Sequence, residues 1–175
     1  MQLYHGTTLC NAENIINNGI DLLNSHIRTD FGRGFYTTPD RENAKKWAIK
    51  KSILEKPALV YITFDEKAAR SIIKSFPVAD IKWAQFIVNN RSGSEYINHF
   101  SGFLTDNNID ARYDIVCGQI CDGQASKIVH RIASELRLAD ENDLLAMIAK
   151  EYPLQYSFHT KRAFSFIKSM RIVRL

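Results

Sequence analysis

The sequence predicts a single α+β domain that spans residues 1–175. The chain has 175 residues, of which 45% are hydrophobic, so it can build one sizeable core but not two ordinary domains. Short runs of β-branched and aromatic residues alternate with stretches of helical periodicity. No internal repeat or low-complexity segment interrupts this alternation.

Signals for β-strand and α-helix follow one another from the start of the chain. Residues 2–5 predict a strand, and Thr7 or Thr8 is suited to cap a helix that Gly19 ends. Residues 21–35 have no clear period. A connection of this length favours a functional loop over a simple link.

A second helix is predicted directly after this loop. Thr38 is the expected N-cap and Pro39 the expected first helical residue, because proline is favoured at that position. The apolar face of this helix carries Ala44, Trp47 and Ala48.

The remaining elements are predicted from local composition and from the prolines and glycines that end helices and strands. Strands are predicted at residues 58–64, 113–118, 154–159 and 171–175. Helices are predicted at residues 66–75, 81–88, 126–137, 141–150 and 160–167. Residues 89–94 are rich in Asn, Ser and Gly and predict a turn. The segments around 66–112 and 124–150 are therefore expected to be mostly helical.

The overall charge is compatible with an anionic partner. Lys and Arg outnumber Asp and Glu by 23 to 19, and the pI is near 9.0, which suits a dinucleotide or a nucleic acid without requiring either. The chain has no export signal and no apolar run of membrane-spanning length. We therefore expect a cytoplasmic protein with no membrane partner.

The three cysteines indicate neither a disulfide framework nor a metal site. They are an odd number in a chain without an export signal. Cys117 and Cys121 have no second pair of ligands nearby, so we expect buried thiols and no metal.

Residues 30–39 form the most informative stretch of the chain. Gly32 and Gly34 flank Arg33 and would allow the backbone to approach a flat ligand closely. Tyr36 and its neighbour supply aromatic ring faces. Together with His5 near the start of the sequence, this composition indicates a cleft for nicotinamide.

Three ordered blocks carry a resemblance to a known superfamily: residues 3–7 (Leu-Tyr-His-Gly-Thr), 31–36 (Phe-Gly-Arg-Gly-Phe-Tyr) and 155–158 (Gln-Tyr-Ser-Phe). They resemble the motifs of the ADP-ribosyltransferase superfamily in its His-Tyr-Glu branch, typified by poly(ADP-ribose) polymerases and diphtheria-type toxins. Over nearly its full length, the chain also resembles a bacterial family of uncharacterised ADP-ribosyltransferase-like domains. The resemblance implies a split, mainly antiparallel β-sheet flanked by helices, with NAD as substrate and no metal.

The resemblance also implies which residues form the site. Catalytic roles are implied for His5, Tyr36 and Gln155. The candidate NAD-binding residues are His5, Gly6, Thr7, Gly32, Arg33, Gly34, Tyr36, Trp47 and Asp122. By this resemblance His5 would bind the ribose hydroxyls and the Gly6 backbone the nicotinamide amide, while Tyr36 and Trp47 would stack the ring. Trp47 fits the role of a core aromatic residue equally well.

Two positions depart from the pattern of the superfamily. Gln155 stands where a glutamate is usual, and an amide carries no charge and cannot act as a base. Ala44 stands where the polymerases have a serine. If a carboxylate is required, Asp122 is the first alternative and Glu151 the second. Arg33 is expected near the pyrophosphate on the basis of its charge alone.

The resemblance implies transfer of one ADP-ribose unit to a protein or nucleic acid, as in a bacterial toxin or defence effector, with an antitoxin or other partner protein. Three alternatives stay open: a non-catalytic module that binds NAD or ADP-ribose, an NAD glycohydrolase, and an RNA phosphotransferase of the same broad fold. The last ranks lowest because only Arg33 supplies charge to the expected cleft. His159 is expected to help close the sheet.

Overall fold

A computed structural model describes residues 1–92, 106–122 and 153–175. Its strands are β1 (Gln2–Thr8), β2 (Phe35–Thr37), β3 (Pro57–Phe64), β4 (Ile73–Ser75), β5 (Ile115–Gln119), β6 (Leu154–Phe158) and β7 (Ile167–Arg174). Its helices are α1 (Leu9–Asn18), α2 (Arg41–Lys51), α3 (Glu66–Ala69), α4 (Ile81–Ser92) and α5 (Lys161–Phe164). The helices predicted at 126–137 and 141–150 lie outside the described residues.

The described strands form two sheets. The first has three antiparallel strands in the order β1-β3-β7. The second has the order β2-β6-β5-β4, and all of its neighbours are antiparallel except β4 and β5. This arrangement of two antiparallel-rich sheets with helices confirms the predicted α+β class.

One apolar core joins the two sheets. Leu3 and Val60 of the first sheet belong to the same buried cluster as Phe35, Ile115 and Phe158 of the second. A separate cluster forms on the opposite face of the second sheet, where α4 packs. It includes Phe31, Trp83, Phe86 and Val116, with Tyr36 packed against it.

The predicted helix over 66–75 is wrong beyond Ala69. A 3₁₀ turn follows α3, and Ile73–Ser75 then pair in parallel with β5 as strand β4. A partner strand distant in the sequence therefore overrides the local helical pattern.

The predicted turn at 89–94 is wrong in its first part, because α4 continues to Ser92. The Asn90 side chain is satisfied both within α4 and by a distant segment. Asn90 donates to the carbonyl oxygen of Phe86 over 2.7 Å and accepts from the backbone N–H of Asn108 over 2.8 Å. A composition typical of turns is thus accommodated inside a helix.

Two further boundaries differ from the predictions. The N-cap of α2 is Asp40, whose side chain accepts from the N–H of Asn43 over 3.0 Å, whereas Thr38 belongs to the end of the preceding strand region. At the other end of the chain, α5 stops at Phe164 and β7 begins at Ile167, four residues before the predicted strand.

Burial of the cysteines agrees with the prediction. Cys117 and Cys121 are buried and free, and Cys10 is exposed and free. Within residues 1–92, 106–122 and 153–175, no helix has the length and apolarity needed to cross a membrane. The same residues contain no group of three His, Cys, Asp or Glu side chains that could hold a metal ion.

Candidate functional site

The backbones of β1 and β2 meet at one pair of residues and then separate. Tyr4 and Thr38 exchange two hydrogen bonds of 2.8 and 2.9 Å. In that register Gly6 would next face Tyr36, but no bridge joins this pair in the described structure. A gap between the two sheets therefore opens beside Gly6.

The side chain of His5 spans this gap. Its Nδ1 lies 2.7 Å from the carbonyl oxygen of Tyr36, and because a carbonyl only accepts, Nδ1 carries the proton and donates it. Burial, with the charge of Lys51 added, lowers the pKa of His5 to about 4. The imidazole is therefore neutral at pH 7, and its Nε2 is an acceptor.

Gly6 lies directly beneath helix α2. A Cβ at this position would overlap the carbonyl oxygen of Ala44 and lie 2.9 Å from the backbone nitrogen of Ala48. Hydrogen-bonding groups alternate sides along a strand, so the N–H and C=O of Gly6 face the same edge as those of Tyr4, towards the gap. Thr7 is buried, and its backbone faces β3.

The packing of α2 also accounts for Ala44, where the resemblance to the polymerases implied a serine. Ala44 is 2% exposed and shares a small cluster with Ala48 and Leu59. A short side chain permits the close contact between helix and strand.

The hydroxyl of Tyr36 stabilises the loop that contains Gly32 and Gly34, which we call the glycine loop. It accepts from the N–H of Phe31 over 2.9 Å, donates to the carbonyl oxygen of Gly32 over 2.8 Å and lies 2.8 Å from Oγ1 of Thr29. Burial, with Asp30 adding to it, raises the pKa of Tyr36 above its usual range. The Tyr36 phenol is therefore neutral and shapes the loop.

The two glycines of the loop each have an intramolecular reason to lack a side chain. Gly32 has a φ of +84°, and a Cβ there would lie 2.6 Å from the carbonyl oxygen of Asn108. A Cβ at Gly34 would lie 2.7 Å from Cε1 of His159. Packing against the protein itself thus explains both positions, whereas the sequence had suggested close approach of a ligand. The side chain of Arg33 makes no ion pair with any residue that the structure describes.

His159 ties the loop to the second sheet. Its Nδ1 donates to the carbonyl oxygen of Arg33 over 2.7 Å, and its Nε2 accepts from Oγ of Ser157 over 2.6 Å. Burial lowers the pKa of His159 to about 4. Ser157 is fully buried, so this Ser–His pair serves structure.

Gln155 lies on β6 and is 7% exposed. Its Nε2 donates to Oδ2 of Asp30 over 2.8 Å and lies 3.4 Å from the carbonyl oxygen of Gln119. Asp30 is also paired with Arg91 of α4 at 2.7 Å. The sequence pointed to Asp122 or Glu151 as the carboxylate of the site, but the carboxylate that contacts Gln155 is Asp30.

The structure brings the three motif residues together on three strands. Tyr36 of β2 is opposite Ser157 of β6, and Gln155 lies two residues before Ser157. Side chains two residues apart on a strand share a face, so Gln155 and Tyr36 project from the same side of the second sheet. His5 of β1 joins them through the Tyr36 carbonyl group rather than the ring.

Most of the chain matches a known protein family. The family of proteins of unknown function DUF3990 matches residues 1–169. The chain belongs to the DUF3990 family. No curated protein and no solved structure matches it. In this DUF3990 chain His5, Tyr36, Asp30, Arg91 and Gln155 all lie within the matched span.

Of the other two predicted binding residues of the DUF3990 chain, Asp122 lies next to this cluster, because it directly follows Cys121, whose backbone N–H donates to Oδ2 of Asp30 over 3.1 Å. Trp47 is partly exposed, and the described residues give its ring a contact with Lys50, whose Nζ lies 4.7 Å from the ring centroid, but none with Tyr36. Asp122 is exposed just after Cys121. Glu151 lies outside the described residues.

Sequence reasoning missed Asp30 as a site residue, although it begins the glycine-containing block. A carboxylate next to a functional loop was the available signal. Arg91 was harder to recognise, because its position on α4 and its pairing with Asp30 depend on the tertiary fold.

Neutral hydrogen-bonding groups flank β2 of the DUF3990 chain. Nε2 of His5 and the backbone of Gly6 lie where β1 separates from β2, and the amide of Gln155 lies on β6, which pairs with β2. Such groups suit a ligand with several hydroxyl or amide groups.

Proposed function

We propose that this chain is an NAD-dependent mono-ADP-ribosyltransferase that acts on a macromolecular acceptor, either a protein or a nucleic acid. The observation that carries the proposal is the hydrogen bond between His5 and the Tyr36 carbonyl oxygen at the point where β1 and β2 separate. Gln155 lies on β6, the strand that pairs with β2. This is the order and the sheet arrangement that the resemblance to the His-Tyr-Glu branch implies.

The chemistry of NAD cleavage fits these groups. Breaking the bond to nicotinamide builds positive charge on the ribose and releases a neutral leaving group. A neutral His5 Nε2 and the carbonyl oxygen of Gln155 would each accept from a ribose hydroxyl and so fix the sugar. The N–H and C=O of Gly6 are complementary to a carboxamide, and the Tyr36 ring provides an apolar wall.

The amide at Gln155 favours a single transfer. Extension of a chain would need a base to activate a ribose hydroxyl of the previous unit, and an amide cannot take that proton. The proposal therefore excludes polymer synthesis. It includes a cytoplasmic location and a role as a toxin or defence effector, with an antitoxin or other partner protein.

A second candidate is a module that binds NAD or ADP-ribose without transferring it. The observation that favours it is the contact of Gln155 with Asp30, since both residues are engaged within the protein. An NAD glycohydrolase, which transfers ADP-ribose to water, is the catalytic variant of the same site.

The test is incubation of the purified chain with NAD labelled on both the nicotinamide and the adenylate. Acceptor fractions of protein and of nucleic acid are supplied separately. We expect nicotinamide release together with label on one of the two fractions. Because His5 is expected to position the ribose, His5→Ala should reduce release by about 100-fold, in the range typical of lost positioning groups. His26→Ala is the matched control, since His26 is exposed and outside the site.

Each other outcome assigns the site differently. Free ADP-ribose without labelled acceptor indicates a glycohydrolase. Binding measured by calorimetry without nicotinamide release indicates the binding module. A chain that neither binds nor cleaves NAD, with any acceptor, overturns the proposal.

A further inference from the structure

Hydrogen-bond donors from three parts of the fold occupy the acceptor positions of the Asp30 carboxylate. Its Oδ1 accepts from Nε and Nη2 of Arg91 over 3.1 and 2.7 Å. Its Oδ2 accepts from the N–H of Cys121 over 3.1 Å and from Nε2 of Gln155 over 2.8 Å. A carboxylate offers about four acceptor positions, so Asp30 has none left for a ligand. Any influence on a ligand must pass through its neighbours.

Asp30 leaves the amide of Gln155 one favourable orientation. The amide lies against two acceptors, Oδ2 of Asp30 at 2.8 Å and the carbonyl oxygen of Gln119 at 3.4 Å. Turning the amide over would place its oxygen against both. The NH₂ group therefore faces inward, and the carbonyl oxygen is left as the acceptor for another molecule.

A glutamate at position 155 would meet the same neighbours without a donor. Its carboxylate would face the carboxylate of Asp30 and the carbonyl oxygen of Gln119. Like charges at hydrogen-bond distance cannot both stay ionised without a large penalty. The neighbours of this position thus select an amide.

We propose that Asp30 is a positioning residue that fixes the Gln155 amide as a hydrogen-bond acceptor, so that this site is built for glutamine and loses function with glutamate. The identity of the ligand, the ribose of NAD, rests on the proposed function. Glutamine at 155 is then a specified part of the site instead of the remnant of a lost catalytic glutamate.

The experiment compares wild type with Gln155→Glu, Asp30→Asn and the double variant Asp30→Asn/Gln155→Glu. NAD affinity and nicotinamide release are measured at about pH 7.5, where an isolated glutamate is ionised. We expect each single variant to lose about tenfold or more, the size of one charge-assisted hydrogen bond. The double variant should recover part of this loss, because the amide of Asn at 30 donates to the carboxylate at 155.

The matched control is Asp106→Asn. Asp106 is also a partly buried carboxylate, paired with Lys74 at 2.9 Å and with the hydroxyl of Tyr113 at 2.7 Å, but it lies away from Gln155. This variant is expected to lower stability and to leave NAD affinity unchanged.

Acidification provides a second readout that a purely structural role would not move. At about pH 5 a glutamate raised in pKa by Asp30 becomes an acid whose O–H donates to Asp30, so Gln155→Glu should regain affinity. The other described titratable or charged groups around the position are Arg91 from α4, the thiol of Cys121, the phenol of Tyr36 on the same face of the sheet, and Asp122, which is exposed and follows Cys121. The guanidinium stays charged at both pH values. Burial raises the pKa of Cys121 to about 12 and the pKa of Tyr36 above its usual range, so the thiol and the phenol stay neutral.

Three results would overturn the inference: Gln155→Glu as active as wild type, Asp30→Asn without effect, or a double variant no better than Gln155→Glu. If wild type itself neither binds nor cleaves NAD, the proposed function fails. The relation between Asp30 and Gln155 is then tested separately by the Tm of the variants in thermal unfolding. The inference then requires that Gln155→Glu lowers Tm more at about pH 7.5 than at about pH 5 and that Asp30→Asn relieves the loss. Equal losses at both pH values contradict it.

Discussion

The imidazole of His5 donates from Nδ1 to the carbonyl oxygen of Tyr36 over 2.7 Å, at the point where β1 and β2 stop pairing. One hydrogen bond thus sets the tautomer of the histidine and joins two sheets whose backbones have separated. The ring of His5 packs against Phe35, with centroids 4.5 Å apart, which further fixes its position.

The free energy of unfolding is expected to fall as the pH drops below about 6.5. Burial lowers the pKa of His5 and of His159 from 6.5 to about 4 in the folded state. Between these values the unfolded chain binds protons that the folded chain does not, so this stabilisation is complete above about 6.5 and is lost as the pH falls towards 4. Each histidine contributes a slope of at most about 1.4 kcal/mol per pH unit.

Urea unfolding over a pH series measures this slope. His159→Gln should flatten it, since one of the two titrating groups is removed. A slope that is the same in wild type and variant would show that His159 is not responsible.

Removal of the Tyr36 hydroxyl is expected to loosen the glycine loop while keeping the aromatic wall. Tyr36→Phe leaves the N–H of Phe31 without its acceptor and removes one of the two donors to the carbonyl oxygen of Gly32, which keeps the hydroxyl of Thr29 at 2.6 Å. The variant should lower the free energy of unfolding by about 1–3 kcal/mol. NAD affinity should fall further in Tyr36→Leu, which also lacks the ring.

Tyr113→Phe is the control for this pair. It loses a hydrogen bond of 2.7 Å to Asp106, so its stability should also fall, whereas NAD affinity should stay the same. Equal affinities for Tyr36→Phe and Tyr36→Leu would contradict a role for the ring.

Substitution of Gly6 should be strongly destabilising. In Gly6→Ala the new methyl group overlaps the carbonyl oxygen of Ala44, so helix and strand must move apart, at a cost of about 3 kcal/mol or more. Gly19→Ala separates this effect from backbone strain, because Gly19 has a φ of +86° and nothing within 4 Å of a Cβ. The control should lose about 1–3 kcal/mol, because a φ of +86° with a ψ of 178° is a conformation essentially confined to glycine. Similar losses in urea unfolding would show that contact with α2 is not the cause.

Tryptophan fluorescence tests whether Trp47 borders the bound ligand. The chain has two tryptophans, and Trp83 is fully buried with its Nε1 donating to the carbonyl oxygen of Gln119 over 3.1 Å. If nicotinamide stacks on Trp47, NAD should quench the emission of wild type but not that of Trp47→Phe. Quenching that persists in Trp47→Phe would assign Trp47 to the surface.

Local signals in the sequence predicted the elements that local interactions build. The first strand and the cap at Thr8 were predictable, because Thr8 accepts from the N–H of Asn11 within its own helix. The strand β4 was not, since Ile73–Ser75 depend on pairing with β5. The helical state of Asn90 was missed for the same reason, as its side chain is satisfied by Asn108.

The sequence by itself determined the α+β class, the order of the three blocks and the presence of His5, Tyr36 and Gln155 in them. Only the tertiary structure decided which groups face one another. It paired Gln155 with Asp30, gave His5 its tautomer through Tyr36, and used the glycines for internal packing. The physical reason is that burial and hydrogen-bond partners, which set protonation and orientation, come from segments that meet only in the folded chain.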